Sequence, residues 1–401
     1  MTPPLRRTLV TALSLTALAA VSCLAAPAAG AAGTDPWVRS WGENAQGQLG
    51  NGSTTATQTP AAVLGIARDD VRELSGGGGG AGAASATNIV NPFAVALLKD
   101  GTVRSWGTNN YGQLGIGTTV NQSFPVMVAG LSGVSQISAG ANHVLAVKGG
   151  RVLAWGYNKT KQLGTGTDAT ESYRTPVNVQ SLDKVQDVGA GCDFSAALRQ
   201  DGTVWTWGSG ANGRLGTGNN TNRETPQKVA GLADVESISV GCDHVLALTA
   251  EGTVKSWGKN AEGQLGNDST TESAVPVDVA HLDGVAKVFA TSTSSFAVLD
   301  DGSVAGWGKN TDGQLADGMK ANRTTPVPLD QLKGVQHIAG GADFTLAALD
   351  DGSVVGWGAN AAAQLGDGTT TAQVTPTTAL PPGSGVTRVA TTVTGKSAFA
   401  Y

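Results

Sequence analysis

A Trp-Gly pair recurs seven times along this chain, at Trp41, Trp106, Trp155, Trp207, Trp257, Trp307 and Trp357, in steps of 65, 49, 52, 50, 50 and 50 residues. Behind the first pair stand Asn44, then Gly47-Gln48-Leu49-Gly50, then Pro60, and this order returns in the later copies. Six of the tryptophans have a proline 19 residues on; in the third copy Pro176 stands 21 after Trp155. A fixed period near 50 residues means that one supersecondary unit is built seven times, and this outranks any single-residue signal.

The unit around Trp257 shows what is repeated. Val235 to Ser239 alternates as a strand, Gly241-Cys242-Asp243-His244 is a turn, and Val245 to Leu248 is a second strand. Glu251-Gly252 marks a tight hairpin, since two-residue turns of this kind need positive φ. Val254 to Trp257 is the third strand; an Asn- and Gly-rich loop then runs to Pro276, and Val277 to Val279 begins a fourth, outer strand. Four short antiparallel strands per unit, seven units and no helical periodicity predict an all-β, seven-bladed propeller of four-stranded blades. The seven repeated tryptophans are expected to be the wedges between blades, each covering about 150–250 Å².

The two ends align on the same unit. Ala400-Tyr401 matches Ala247-Leu248, and Asp35-Pro36-Trp37-Val38 matches Glu251-Gly252-Thr253-Val254. One blade is therefore expected to be shared, with inner strands from the C-terminus and an outer strand containing Trp41 from the N-terminus, which hides the last sheet edges.

These residues also carry a resemblance. Val-x-x-Ile-x-x-Gly, then His-x-x-Ala-Leu, then Asp-Gly-x-Val-x-x-Trp-Gly-x-Asn, then Gly-Gln-Leu-Gly-x-Gly and a final Pro is similar to the regulator of chromosome condensation repeat, over residues 37–401. Gln113-Leu114-Gly115, Gln162-Leu163-Gly164, Gln264-Leu265-Gly266 and Gln364-Leu365-Gly366 stand in phase with the tryptophans. Arg214 for Gln, Ala316 for Gly and Gly210 for Asn depart from the pattern, all in loops. The resemblance implies a seven-bladed propeller, in agreement with the strand count. It also implies that the turn after each first strand lies near the axis. In family members that act as nucleotide exchange factors for a small nuclear GTPase, this turn contacts the GTPase. Here the residue after the turn glycine is Ala141, Cys192, Cys242 or Ala342 rather than an acid, which speaks against exchange activity.

Residues 1–32 read as an export signal: Arg6 and Arg7, an apolar run from Leu9 to Leu24, then the small residues Ala25 to Gly33. Ala20-Val21-Ser22-Cys23 is an imperfect lipobox, so lipid anchoring at Cys23 stands beside free secretion. Without residues 1–32, 24 Lys and Arg face 31 Asp and Glu, a formal charge of −7. No basic stripe supplies the phosphate-neutralising term that nucleic-acid binding needs. No later run reaches 18 apolar residues, so none after residue 33 is expected to span a membrane. Residues 33–401 are expected to form the propeller, as a monomer. The long first step places an insertion at 75–91, starting in the glycine run Ser75 to Gly82, which lacks the Lys-Ser/Thr of a phosphate loop. Cys192 and Cys242 lie one repeat apart. They are either a disulfide between neighbouring units, which an oxidising compartment allows, or two small buried side chains.

The chemistry on offer is sparse. His143 and His244 are candidate binding residues, although they occupy a position that elsewhere holds Phe93, Phe194, Ser294 or Phe344, the mark of a packing site. No motif assembles a nucleophile with a base, and no cofactor or metal is expected. The turns carry Asn142, Asp193, Asp243 and Asp343, with Thr293 and Lys396 aligned to them. Together they would form a partial acidic ring on one face, unless each aspartate only satisfies its own turn. Tyr111, Tyr157 and Tyr173 in the long loops, and Trp205 beside Trp207, are candidate exposed anchors for a partner. The expected function is a secreted, non-catalytic module binding a protein or cell-wall partner through loops on one face. Two alternatives remain. One is inhibition of a secreted enzyme, on similarity to the propeller-type β-lactamase inhibitor protein of actinobacteria, whose repeat is shorter. The other is a hydrolase or lyase using the acidic ring.

Overall fold

The computed structural model describes residues 36–78, 91–166 and 170–401. Within them the chain forms seven four-stranded antiparallel sheets. Apart from the 11-residue Thr57–Ala67, the strands are short, because Gly turns and Asn-rich loops interrupt the apolar runs before they can extend. Blades 1 to 6 are consecutive, spanning 71–127, 134–178, 185–228, 235–278, 285–328 and 335–380. In each, the first strand is innermost and the fourth outermost.

Blade 7 is shared, as the aligned ends predict. Its inner strands are Val389–Thr391 and Ser397–Ala400, and its outer strands are Trp37–Gly42 and Thr57–Ala67. The join pairs Arg39 with Ala400, Ser40 with Phe399, Trp41 with Ala398 and Gly42 with Ser397.

The repeated tryptophans are fully buried. Each indole N–H donates to a main-chain carbonyl in the long loop of the preceding blade: Trp106 to Gln48 at 2.8 Å, Trp155 to Gln113 at 2.9 Å, Trp357 to Gln314 at 2.7 Å and, across the join, Trp41 to Gln364 at 2.9 Å. A buried indole needs such an acceptor, and here the acceptor is what locks one blade to the next. The loop residue two beyond that carbonyl favours glycine: a Cβ on Gly266 would sit 2.7 Å from Trp307 Nε1, at φ +68°, and only the fifth blade holds an alanine there, Ala316 at φ +58°.

Two details differ from the sequence reading. The outer strand begins before its proline, at Ser273 in blade 4, and a bulge lies between the Ser256 and Gly258 pairings. Pro276 is tolerated because this is an edge strand, where a missing N–H breaks no ladder. Ser75, Gly76 and Gly77, at the start of the 75–91 segment, belong to the innermost strand Val71–Gly77. A Cβ on Gly77 would fall 2.1 Å from the Phe93 ring, so close packing sets these glycines. Residues 79–90 of that segment, the 1–32 segment and Cys23 lie outside the described residues.

Candidate binding face

Chain direction sorts the loops onto two faces. The turns between first and second strands share one face with the long loops between third and fourth strands. The tight hairpins and the inter-blade connections share the other. The turn face is held by backbone. The residue after each Trp-Gly donates its N–H to the carbonyl of the turn: Tyr157 to Asn142, Ser209 to Asp193, Lys259 to Asp243, Lys309 to Thr293 and Ala359 to Asp343, at 2.8–3.1 Å. Turn residues also bond across blades through their main chain: Gly78 N to Gly140 O at 3.2 Å, Ala141 N to Gly191 O at 3.3 Å, Cys192 N to Cys242 O at 2.9 Å. Since main chain does the holding, the side chains at these turn and loop positions are free to differ. Blades 4 to 7 present both side chains at least partly exposed on this fixed frame, whereas Pro92, Thr108, Asn142, Asp193 and Ser209 of blades 1 to 3 are buried; variable side chains on a fixed frame are how a recognition face is made.

The structure places the turn residues on this face but not as an acidic ring. Asp243 forms an ion pair with Arg214 at 2.9 Å, and Asp343 one with Lys309 at 2.6 Å. Arg214 is the residue that departs from the repeat's Gln. Its Nε donates to Ala211 O at 2.8 Å and its guanidinium lies 6.0 Å from the Phe194 ring centre. Asn142 Oδ1 accepts from Asn91 Nδ2 at 3.0 Å. Asp193 is buried, and its carbonyl accepts from Thr160 Oγ1 at 3.2 Å. The face is thus a mosaic of paired charges and amides. Cys192 and Cys242, on adjacent turns, are joined by a disulfide with Cα atoms 4.6 Å apart.

Tyr111 and Tyr157 meet between blades 1 and 2, with ring centres 4.7 Å apart. Burial, then Tyr111, Asp193 and Glu171, hold the Tyr157 hydroxyl above its usual pKa. Tyr173 is part of the same side of blade 2, opposite Gly156, and packs on the core between blades 2 and 3. Trp205 does not join them. It pairs with Ala197 near the 200–203 hairpin, on the other face, and Arg199 lies 5.9 Å from its ring centre.

His143 and His244 are fully buried. Their Nε2 atoms lie 2.9 and 3.0 Å from Ser195 Oγ and Ser295 Oγ of the following blade. Each serine hydroxyl donates its one hydrogen to a carbonyl, Gln162 or Gln264, at 2.7 and 2.8 Å. Each histidine must then donate, so the proton sits on Nε2 and the unpartnered Nδ1 carries the lone pair. Burial pushes His143 down to about 3 and His244 to about 4. They are neutral struts between blades and not accessible ligands. The sequence held the signal: where the second strand opens with Phe93, Phe194 or Phe344, the next blade supplies apolar Val144, Val245 or Ala398 in the same cluster.

Among the described residues no His, Cys, Asp and Glu cluster is placed to hold a metal ion, and no helix is long and apolar enough to cross a membrane.

Comparison with known proteins agrees with this architecture. The model for the RCC1-like domain matches residues 148–400, and that for the regulator of chromosome condensation (RCC1) repeat matches 38–83 and 100–147. Human E3 ubiquitin-protein ligase HERC2 is 32% identical over 188 residues, which are 45% of this chain and 4% of that protein. The ultraviolet-B receptor UVR8 of Arabidopsis thaliana is 28% identical over 189 residues, 46% of this chain and 40% of the receptor. The chain thus spans well under half the length of these relatives. Among solved structures, Prp20p of Saccharomyces cerevisiae superposes with a TM-score of 0.78 at 22% identity, covering 92% of each chain. Human WBSCR16 gives the same score at 24% identity, covering 91% of this chain and 98% of its own. With the repeat models together covering both halves of the described ring, the chain belongs to the regulator of chromosome condensation repeat family, as an RCC1-like domain.

Proposed function

We propose that this chain is an exported, non-catalytic module that binds a protein partner through its turn face. The observation that carries this is the Tyr111–Tyr157 pair, half-buried beside Asp193 and Glu171 on a frame fixed by main-chain bonds. Rigid tyrosines flanked by polar groups supply contact area at little entropic cost. The published structure of Prp20p concerns binding to Gsp1p and histones, and another shows it with Kap60; that fold-mates engage proteins is consistent with the reading. The Cys192–Cys242 disulfide fits an oxidising compartment, as do the Arg6-Arg7 start and the Leu9–Leu24 run.

The test is a pull-down with residues 33–401 from the producing organism's culture supernatant and cell-wall fraction, run beside Tyr157→Ser and Trp205→Ser. A stoichiometric protein held by the parent chain and Trp205→Ser, but lost with Tyr157→Ser, is the expected result. Retention on cell-wall polymer alone, or equal loss with both variants, overturns it.

A further inference from the structure

The innermost strands carry a second set of polar groups, far from the turn face. The third residue of each of the first six, and Arg388 just before the seventh, line an axial channel of about 740 Å³. Toward the hairpin face the channel opens into a vestibule of about 420 Å³ that shares Glu73, Gln136, Asp187 and Arg388. Around the ring the charges are sorted. Blades 1 to 3 contribute Glu73, Gln136 and Asp187; blade 4 contributes Ser237; blades 5 to 7 contribute Lys287, His337 and Arg388. One arc is acidic and the other basic; they meet where the ring closes, with Arg388 of blade 7 next to Glu73 of blade 1, and Arg72 and Glu236 add one charge of each sign at the vestibule.

Part of this set braces neighbouring strands. Ile137 N donates to Glu73 Oε2 at 3.0 Å, Gln136 Nε2 donates to Asp187 Oδ1, and Lys287 Nζ donates to Gln336 O at 3.3 Å. Bracing does not use the set up. Gln136 Oε1 and His337 Nδ1 are buried and have no hydrogen-bond partner, and such atoms are uncommon in folded proteins without a ligand or water to meet them. The two arcs are also under opposite electrostatic load. Burial pushes the Glu73 carboxyl up to about 7 and that of Asp187 up to about 6. Burial, with Arg388 and Lys287 acting in the same direction, pushes His337 down to about 4. A cation on the first arc and an anion on the second would relieve both. A molecule with one charge relieves only one arc. The volume lies within the usual ~300–1,000 Å³ of small-molecule sites.

We propose that the axial channel binds a small zwitterion, a free α-amino acid, with its ammonium on the Glu73–Gln136–Asp187 arc and its carboxylate on the Lys287–Arg388 arc. The site is independent of the turn face and of any protein partner there.

Isothermal titration of the propeller with each of the common α-amino acids, at up to about 5 mM, tests it. At least one is expected to bind with sub-millimolar Kd. Its deaminated acid and its decarboxylated amine should each bind about tenfold or more weakly. Lys287 is exposed at the channel wall, so Lys287→Met should leave the unfolding midpoint in place. It should weaken the amino acid and the acid about tenfold and leave the amine unchanged. In a second measurement, ring NMR of His337, saturation with the amino acid should raise the histidine pKa, because the bound carboxylate opposes Arg388 and Lys287. Absence of binding by every amino acid, equal binding of the singly charged analogues, or indifference to Lys287→Met each overturns the proposal.

Discussion

His143 and His244 set a cost on acid that the fold would not otherwise carry. Their folded pKa values, about 3 and about 4, lie below the ordinary 6.5. The stability they contribute is therefore present above about pH 6.5 and lost as pH falls toward 4 and 3, where the unfolded chain binds protons that the folded chain refuses. At pH 5 the His143 shift corresponds to about 2 kcal/mol. Replacing His143→Phe together with Ser195→Val copies the apolar pairs that join blade 1 to 2 and blade 3 to 4. Urea unfolding at pH 7 should then change by no more than about 1.5 kcal/mol, as for a volume-conserving swap. Between pH 7 and pH 5 the double variant should lose about 2 kcal/mol less than the parent. Equal losses would mean that this imidazole is not held neutral.

At the scale of the element, the long loop is built around one asparagine. Asn260 Nδ2 donates to Asn267 Oδ1, Ser269 O and Thr271 O at 3.0, 2.9 and 3.0 Å, while its Oδ1 accepts the Leu265 N–H at 2.9 Å. Asn44, Asn310 and Asn360 make the equivalent bond to Leu49, Leu315 and Leu365. Asn260→Ala leaves the buried Leu265 N–H and several carbonyls without partners, so a loss of about 2–3 kcal/mol is expected in the same urea experiment. A change below ~0.5 kcal/mol, the surface-substitution range, would show that water replaces the side chain.

This element was largely legible in the sequence, because each copy repeats its own local bonds: strand alternation, acid-Gly hairpins and the Trp-Gly-x-Asn spacing are all short-range. What crosses between blades was not. Arg214 looks like a tolerated departure until Asp243 of the next blade stands beside it. The inner-strand residues Glu73 to Arg388 look like ordinary alternation until the ring brings them around one axis. The histidine–serine coupling was present in the letters. It becomes visible only once the second strand of one unit is known to touch the second strand of the next. Asp243 and Asp343 take their cation partners, Arg214 and Lys309, from loops of the neighbouring blade, a contact no single unit contains.

At the scale of the whole molecule, the shared blade decides how stability is distributed. Stacked repeats in an open array lose stability roughly unit by unit, with frayed ends. Here the ends are joined: Trp41 donates to Gln364 of blade 6, the Phe399 ring lies 6.1 Å from that of Trp106 of blade 1, and Tyr401 Oη donates to Leu74 O at 3.4 Å. Removing residues 387–401 takes away both inner strands of blade 7. It takes the Ala398 pairing from Trp41 and the Phe399 ring from Trp106, and opens the inner edge of the outer pair Trp37–Gly42 and Thr57–Ala67. Hydrogen exchange followed by mass spectrometry is expected to show protection lost over 37–67 and also over 71–127 and 335–380, the two flanking blades. Phe399→Ala, which keeps the backbone join, should cost about 3–5 kcal/mol as a buried aromatic truncation and leave all seven blades protected. If the truncated chain loses protection only over 37–67, the blades are independent stacked units and the join merely covers an edge; if loss spreads to both neighbours, closure is what makes the ring fold as one body.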